Sequence, residues 1–323
     1  MAKDAENILI TGGGGFIGQE LITTLLANSS PNDQFTLTDI IPPPVPASAS
    51  KDAHRIKSIK ADLTDPSAVT DLLSNRYSHV YLLHGLMSGG AEANLDLGLK
   101  VNFDSVRNIL DELRKRHPGT VVVFTSSCAI YGQTDIVREF ETLPQPKSSY
   151  GIEKIMIELL LNDFSRRGLL NGRIVRLPTV VVRPGAPSAA ASSFASGIVR
   201  ESLKGIQNVL PVSRDLELWV CSPTTVVKNL VKVKDIPAEQ FGDSRIVNFP
   251  GITVSVQQIL DALKQVGGDE ALSKIEEKRD PAIDAIVSSW PARFDVSRAL
   301  GMGLHADQGI LETVKAFKGT LDK

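Results

Sequence analysis

Tyr150 and Lys154 stand four residues apart in Tyr150-Gly151-Ile152-Glu153-Lys154. On a helix that spacing puts both side chains on one face, so a phenol and an ammonium address a single ligand. Such a pair suits removal of a proton from an alcohol. A free phenol, with a pKa of about 10, is only ~0.1% ionised at neutral pH, and a nearby cation lowers that value. Bringing it near 7 requires about 4 kcal/mol from neighbouring positive charge, at ~1.4 kcal/mol per pH unit. Ser127 lies 23 residues upstream in Thr125-Ser126-Ser127-Cys128-Ala129-Ile130-Tyr131-Gly132.

The elements that must position these residues begin with Asn7–Thr11, a short apolar strand running into Gly12-Gly13-Gly14-Gly15-Phe16-Ile17-Gly18, then a helix over 19–26. Strand, glycine turn and helix form a phosphate-binding unit: Gly12, Gly15 and Gly18 allow close backbone approach, and the helix start offers free amides. Asp39 follows Gly18 by 21 residues at the end of the next strand, 35–39, where a carboxylate binds the adenosine ribose. An acid there repels a 2′-phosphate, and Ile40, Ile41 and Pro42 bring no arginine, so the expected cofactor is NAD rather than NADP. Gln19 and Glu20 after the last glycine exclude a nucleotide-triphosphate loop.

Further strands are expected at 56–61, 79–83, 121–124 and 173–177, with helices at 95–116 and from Tyr150 to Arg167; 42–50 reads as an irregular loop. Pro66 opens a helix with Asp65 as its cap. The alternation predicts an α/β fold, a doubly wound parallel (Rossmann) sheet. Beyond Pro178 the rhythm changes, and a smaller discontinuous C-terminal lobe is expected. Residues 1–182 plus about 216–249 form the NAD-binding part, and about 183–215 plus 250–323 the substrate lobe. Strands at 216–220 and 245–249 are expected to return to the sheet. Helices are expected at 256–266 and 307–318.

Composition narrows the class. The 323 residues are 42% hydrophobic and 22% charged, with 35 Lys and Arg against 37 Asp and Glu and a net charge of −2, so neither nucleic acid nor an anionic membrane is an expected partner. No apolar run approaches the ~20 residues of a membrane span, and the first six residues show no secretory signal. Cys128 and Cys221 cannot build a disulfide framework, no Cys/His set has zinc spacing, and no metal is expected. A reducing, cytoplasmic setting follows.

Taken together, Thr11-Gly12-x-x-Gly15-Phe16-Ile17-Gly18, Asp62-Leu63, Asn102, Ser127 four before Tyr131-Gly132, and Tyr150-x-x-x-Lys154 resemble the extended short-chain dehydrogenase/reductase family, which includes NAD-dependent epimerases and dehydratases. The resemblance covers about the first 180 residues. It implies that Asp62 and Leu63 flank the adenine and that Asn102 lies on the helix behind the nicotinamide. Phe16, Ile17 and Pro178 join the cofactor contacts, and Ser127, Tyr150 and Lys154 form the catalytic set. Two of these have a second role open to them: Asp62 as a helix cap, and Asn102 as a buried amide bonding backbone.

Three stretches, Ser88–Ala93, Arg176–Gly185 and Trp219–Pro223, together with Arg293-Phe294-Asp295, are similar to the D-erythronate dehydrogenase branch, whose members oxidise a four-carbon sugar acid to its 2-oxo acid. That implies NAD-dependent oxidation of a small sugar acid, with an epimerase or dehydratase acting on a nucleotide sugar as the alternative. Thr179 stands where sugar-nucleotide enzymes carry an asparagine, and Glu217 roughly where they place an arginine for the diphosphate. Candidate substrate residues are Ser88, Gly89, Ser127, Cys128, Thr179 and Arg183. Cys128 also reads as a packing residue, His84 as a satisfied structural histidine, and Trp219 and Trp290 as core contacts. By analogy with relatives, the helices from Leu95 and Tyr150 pair across a homodimer.

Overall fold

The computed structural model describes residues 5–322; residues 1–4, read above for a secretory signal, lie outside the described residues. Seven strands form one parallel sheet: β1 (Asn7–Thr11), β2 (Gln34–Asp39), β3 (Ile56–Lys60), β4 (His79–Leu82), β5 (Val121–Ser127), β6 (Asn171–Leu177) and, late in the chain, β10 (Ile246–Asn248). The spatial order is β10-β6-β5-β4-β1-β2-β3. Ile8, Leu9 and Ile10 are each at most 1% exposed, because a parallel strand between two helical layers buries both its faces. The order reverses between β1 and β4, and a crevice opens beyond the carboxyl ends of those strands.

One helical layer is α1 (Phe16–Ala27) with α8 (Pro223–Lys234), packing Leu21, Ile22, Val226 and Leu230 against the sheet. The other comprises α2 (Pro66–Leu72), α5 (Ser105–Arg116) and α6 (Ser149–Arg166), which bury Val69, Ile109, Leu113, Ile157 and Leu161. Asp65 caps α2 by accepting from Ser67 N, as expected. The predicted helix over 95–116 divides into α4 (Leu95–Gly98), a widened π-helical stretch over Leu99–Asp104, and α5. α3 (Ser88–Ala93) starts inside the glycine-rich stretch after β4, and the irregular loop tightens into 3-10 turns over Ala47–Arg55.

A second core lies beyond Pro178. β7 (Thr179–Val180), β9 (Glu217–Cys221) and β11 (Ile252–Ser255) make a three-stranded sheet, and β8 (Asn208–Leu210) pairs with β12 (Ile275–Glu277). The expectation that 216–220 rejoins the main sheet is therefore corrected: β9 pairs with β7 and β11, and only β10 returns. The reason is side-chain environment, since Leu218 and Val220 pack with Phe194, Ile198 and Leu263 rather than with the large sheet's core. α7 (Ser193–Leu203), α10 (Val256–Leu272) and α13 (Ile310–Leu321) cover this lobe; α9 (Ala238–Phe241), α11 (Pro281–Val287) and α12 (Ser297–Gly301) are short connectors. Asp307, expected in the last helix, instead accepts from Ser222 N at 2.6 Å and Thr225 Oγ1 at 2.6 Å, holding the start of α8. Among the described residues no helix is long and apolar enough to cross a membrane.

Under β5 lies a buried ion pair. Arg176 on β6 donates Nε to Glu158 Oε1 at 3.0 Å and Nη2 to Glu158 Oε2 at 2.6 Å, with the two side chains 4% and 0% exposed. Ser126 Oγ donates to the same carboxylate, and Arg176 also donates to the Tyr131 hydroxyl, which donates to Asn248 Oδ1 at 3.2 Å. Removing one buried partner strands the other's charge, a loss of about 3–5 kcal/mol, whereas replacing both with apolar groups costs far less. Glu158→Ala is thus expected to lower the unfolding free energy by that amount in urea titration, and Glu158→Ala with Arg176→Met to recover most of it.

Candidate active site

The crevice at the reversal of strand order is a cleft of about 650 Å³ that runs from Asp39 and Asp62 at one end to Arg183, Trp219 and Trp290 at the other. Its first part is the glycine turn. Gly12 sits at φ +68°, open to glycine alone at little cost, and a Cβ there would lie 2.7 Å from His84 N. A Cβ on Gly18 would come 2.6 Å from Gly12 O. α1 has Gly15 as its N-cap, with no side-chain cap and no acid in its first turn. Its amides are left for an anion, which fits the pyrophosphate of a dinucleotide.

Asp39 closes this end. Its carboxylate accepts from Gly14 N at 3.1 Å and Ile40 N at 2.8 Å, and so stands beside the turn. Asp62 and Leu63 line the next segment. Asp62 does not cap a helix: its Oδ1 accepts from Thr64 N at 3.0 Å and Thr64 Oγ1 at 2.7 Å, and those bonds hold its pKa below the usual carboxylate value. Phe16, Ile17 and Pro178 also face the cleft.

Ser127 ends β5, and Tyr150 and Lys154 come from the first turns of α6, which Ser148 caps by accepting from Gly151 N. All three line the cleft. Lys154 Nζ, on a side chain 3% exposed, donates to Thr125 O at 2.9 Å and lies 5.5 Å from the centre of the Tyr150 ring. Burial lowers its pKa to about 8, against the pull of Glu153 and Glu158. Burial raises the Tyr150 phenol to about 12, Ser127 and Arg183 oppose that rise, and Glu153 adds to it. The expected depression of the phenol is therefore not produced by the protein's own groups, because removal of water outweighs them.

Of the remaining candidates, Ser88, Cys128, Thr179 and Arg183 reach the cleft, while Gly89 and Asn102 do not line it. Gly89 N donates to Ala189 O at 3.1 Å, and Ser88 Oγ accepts from Ala191 N at 3.2 Å, so both anchor the segment that follows Arg183. Asn102, 1% exposed, takes the backbone-bonding role, with Oδ1 accepting from Leu86 N at 2.7 Å. Cys128 is buried, its thiol pushed up by burial and directed at Arg176 O, which makes it a packing residue. Trp219 stacks on Phe294 at 4.9 Å. Glu217 at the rim accepts from Arg293 Nη2 at 2.8 Å, a pairing that spacing did not reveal.

Arg183 reaches the cleft from the lobe side. Its side chain lies 3.5 Å from Ser188 Oγ and 3.4 Å from Ser192 Oγ, and among the described residues no carboxylate pairs with it. Burial first, and Arg200 second, lower its pKa to about 10. Arg200, which the sequence reading missed, fixes the Arg183 backbone by donating to Arg183 O at 2.8 Å while pairing with Glu201.

An uncapped helix over a glycine cradle, facing a serine, tyrosine and lysine across one cleft, defines a dinucleotide-dependent oxidoreductase. Comparison with known proteins carries this further. The model of the NAD dependent epimerase/dehydratase family matches residues 8–236. The chain is 39% identical over 320 residues to D-erythronate dehydrogenase of Cupriavidus necator, covering 96% of this chain and 97% of that one. It is 39% identical over 313 residues to D-erythronate dehydrogenase of Haemophilus influenzae, covering 96% and 98%. A crystal structure described as a nucleoside-diphosphate-sugar epimerase from Agrobacterium tumefaciens superposes with a TM-score of 0.88 at 34% identity, over 96% of this chain and 92% of that one. The chain belongs to the NAD dependent epimerase/dehydratase family, is an oxidoreductase of the extended short-chain type, and takes NAD as its cofactor.

Two measurements test the cleft. Gly18→Ala forces a methyl group against Gly12 O, and calorimetric titration with NAD should show binding weakened at least about tenfold, since a 1.4 kcal/mol penalty already gives that factor. His84 concerns pH. Thr11 Oγ1 lies 2.7 Å from its Nδ1 and Ser105 Oγ lies 2.9 Å from its Nε2, so a hydroxyl faces each ring nitrogen. Burial, then Lys154, lowers its pKa to about 3. The unfolded chain takes up this proton near pH 6.5, so His84's contribution to stability is complete above that value and is lost as pH falls toward 3. Imidazole NMR should show His84 neutral at pH 5, while the unfolding free energy already declines below pH 6.5.

Proposed function

We propose that this enzyme oxidises a secondary hydroxyl of a small sugar acid, of the D-erythronate kind, to the oxo acid. The observation that carries the reading is Arg183, a half-buried guanidinium with no acidic partner among the described residues, which acts electrostatically on Tyr150 from the lobe side of the cleft. A substrate carboxylate supplies the missing charge and so sets the neighbouring hydroxyl against the phenol. The two D-erythronate dehydrogenases named above support the same substrate class.

In this reading Tyr150 accepts the hydroxyl proton. Ser127 donates a hydrogen bond to the reacting oxygen and the developing alkoxide. Lys154, tied to Thr125 O, holds positive charge 5.5 Å from the centre of the phenol ring, and Arg183 binds the substrate carboxylate. When bound along the glycine turn, NAD supplies the hydride acceptor and a positive ring. The lobe of about 183–215 and 250–323 selects the substrate. The homodimer and the cytoplasmic setting belong to the same reading; Leu95, Ile152 and Leu159, each about half exposed or more, form the pairing face.

The test mixes enzyme and NAD with three- to six-carbon sugar acids and with nucleotide sugars, following NADH absorbance and analysing products. NADH should form with a sugar acid. Tyr150→Phe should lower kcat by about 10²-fold or more, and Arg183→Gln should raise KM about 10- to 100-fold through loss of a charged hydrogen bond. Conversion of a nucleotide sugar without free NADH would contradict the reading.

A further inference from the structure

Glu153 lies inside the Tyr150–Lys154 motif, yet the reaction as described does not use it. It is 1% exposed and faces away from the cleft, toward the π-helical stretch between α4 and α5. Its Oε2 accepts from Asn102 Nδ2 at 2.6 Å. Asn102 in turn grips one residue of the loop after β4 at both backbone groups, Leu86 N at 2.7 Å and Leu86 O at 3.0 Å. Space is cleared on both sides of this arrangement. A Cβ on Gly98 would lie 2.3 Å from Glu153 Oε1, and one on Gly85 would lie 2.9 Å from Asn102 Oδ1 and 3.7 Å from Lys154 Nζ. Among the described residues Glu153 Oε1 itself has no hydrogen-bond partner.

A carboxylate buried with one oxygen unsatisfied is costly unless a charge answers it. Lys154 is the cation beside it, and has no carboxylate at ion-pair distance among the described residues. We infer that Glu153 is a positioning residue for the reaction: through Asn102 it fixes the Leu86 segment, and its charge keeps the buried Lys154 an ammonium. The inference rests on the reading that Tyr150 needs a charged Lys154 beside it. Other charged groups face the same pair. Glu92 on α3 acts on Glu153, Glu158 acts on Lys154 from the next turn of α6, Lys154 acts on His84 after β4, and Arg183 faces Tyr150 from the lobe. Glu92 accepts from Ser149 N at 3.0 Å and Glu158 is held by Arg176, so each of those carboxylates has other partners.

Removing the Glu153 charge favours the deprotonated form of its neighbours, so the midpoints of Lys154 and Tyr150 both move to lower pH. The test is lysine side-chain NMR on the whole protein without substrate, with the Lys154 signal assigned by its loss in Lys154→Arg. The wild-type midpoint near 8 should fall by about one pH unit in Glu153→Gln, as expected for one charge removed a few ångströms away in a protein interior. In Glu153→Asp, which keeps the charge but withdraws from Asn102, the midpoint should stay within about 0.3 units of wild type, while kcat falls. An unchanged or raised midpoint in Glu153→Gln overturns the inference. If that variant does not fold, a Glu153→Asp midpoint lowered by a full unit overturns it. Because the readout needs no turnover, failure of every sugar acid to yield NADH would defeat the functional reading and leave this result to stand or fall separately.

Discussion

Two buried charges one turn apart on α6, Lys154 and Glu158, fasten that helix to β5, and the site depends on the join. Lys154 reaches Thr125 O, while Glu158 takes the Ser126 hydroxyl and the fork of Arg176. Together they hold the first turns of α6 against the residues just before Ser127, and this is what sets phenol, ammonium and hydroxyl along one cleft. Neither charge is a source of net stability in itself, because burying an ion forfeits its hydration. Their value is register. A shift of α6 by one residue would point Tyr150 away from Ser127.

The two cores divide the chemistry. The large sheet offers the uncapped start of α1 and the carboxylate of Asp39, which suit a dinucleotide with free ribose hydroxyls. The smaller core brings Thr179 and Arg183 over the far end through the chain crossing after Pro178, and Arg200 and Ser196 pin the Arg183 backbone. The phenol lies where these contributions meet. Burial above all, against Ser127 and Arg183, raises its pKa to about 12. In the proposed reaction the positive ring of bound NAD would shift it toward ionisation, whereas the carboxylate of a sugar acid would act in the opposite direction.

The cofactor half was legible in the sequence because its constraints are local. A glycine at φ +68°, an acid at the end of the next strand and a four-residue helical spacing all write themselves at fixed offsets. Asp65 and Pro66 were readable for the same reason. What escaped is non-local. β9 and a returning strand of the main sheet have the same apolar run, and only the partner strands decide between them. Glu158 and Arg176, 18 residues apart, look like surface charges until the fold buries both. Asn102 and Glu153, 51 residues apart, show no periodic signal, and Gly89 looked like a ligand loop although it serves as a contact for Ala189. Arg183 was visible as a candidate, but its having no acidic partner among the described residues is a property of the packed lobe.

The central claim is that a sugar-acid hydroxyl gives its proton to Tyr150 while its carbon gives up hydride. The most direct measurement is a single-turnover reaction with a four-carbon sugar acid deuterated at C2, followed by mass analysis of the cofactor. The account expects one deuterium in NADH for each oxo acid formed, with a transfer rate that rises with pH in wild type and is lost in Tyr150→Phe. Oxo acid formed without deuterium in the cofactor, or transfer at an undiminished rate in Tyr150→Phe, would contradict it.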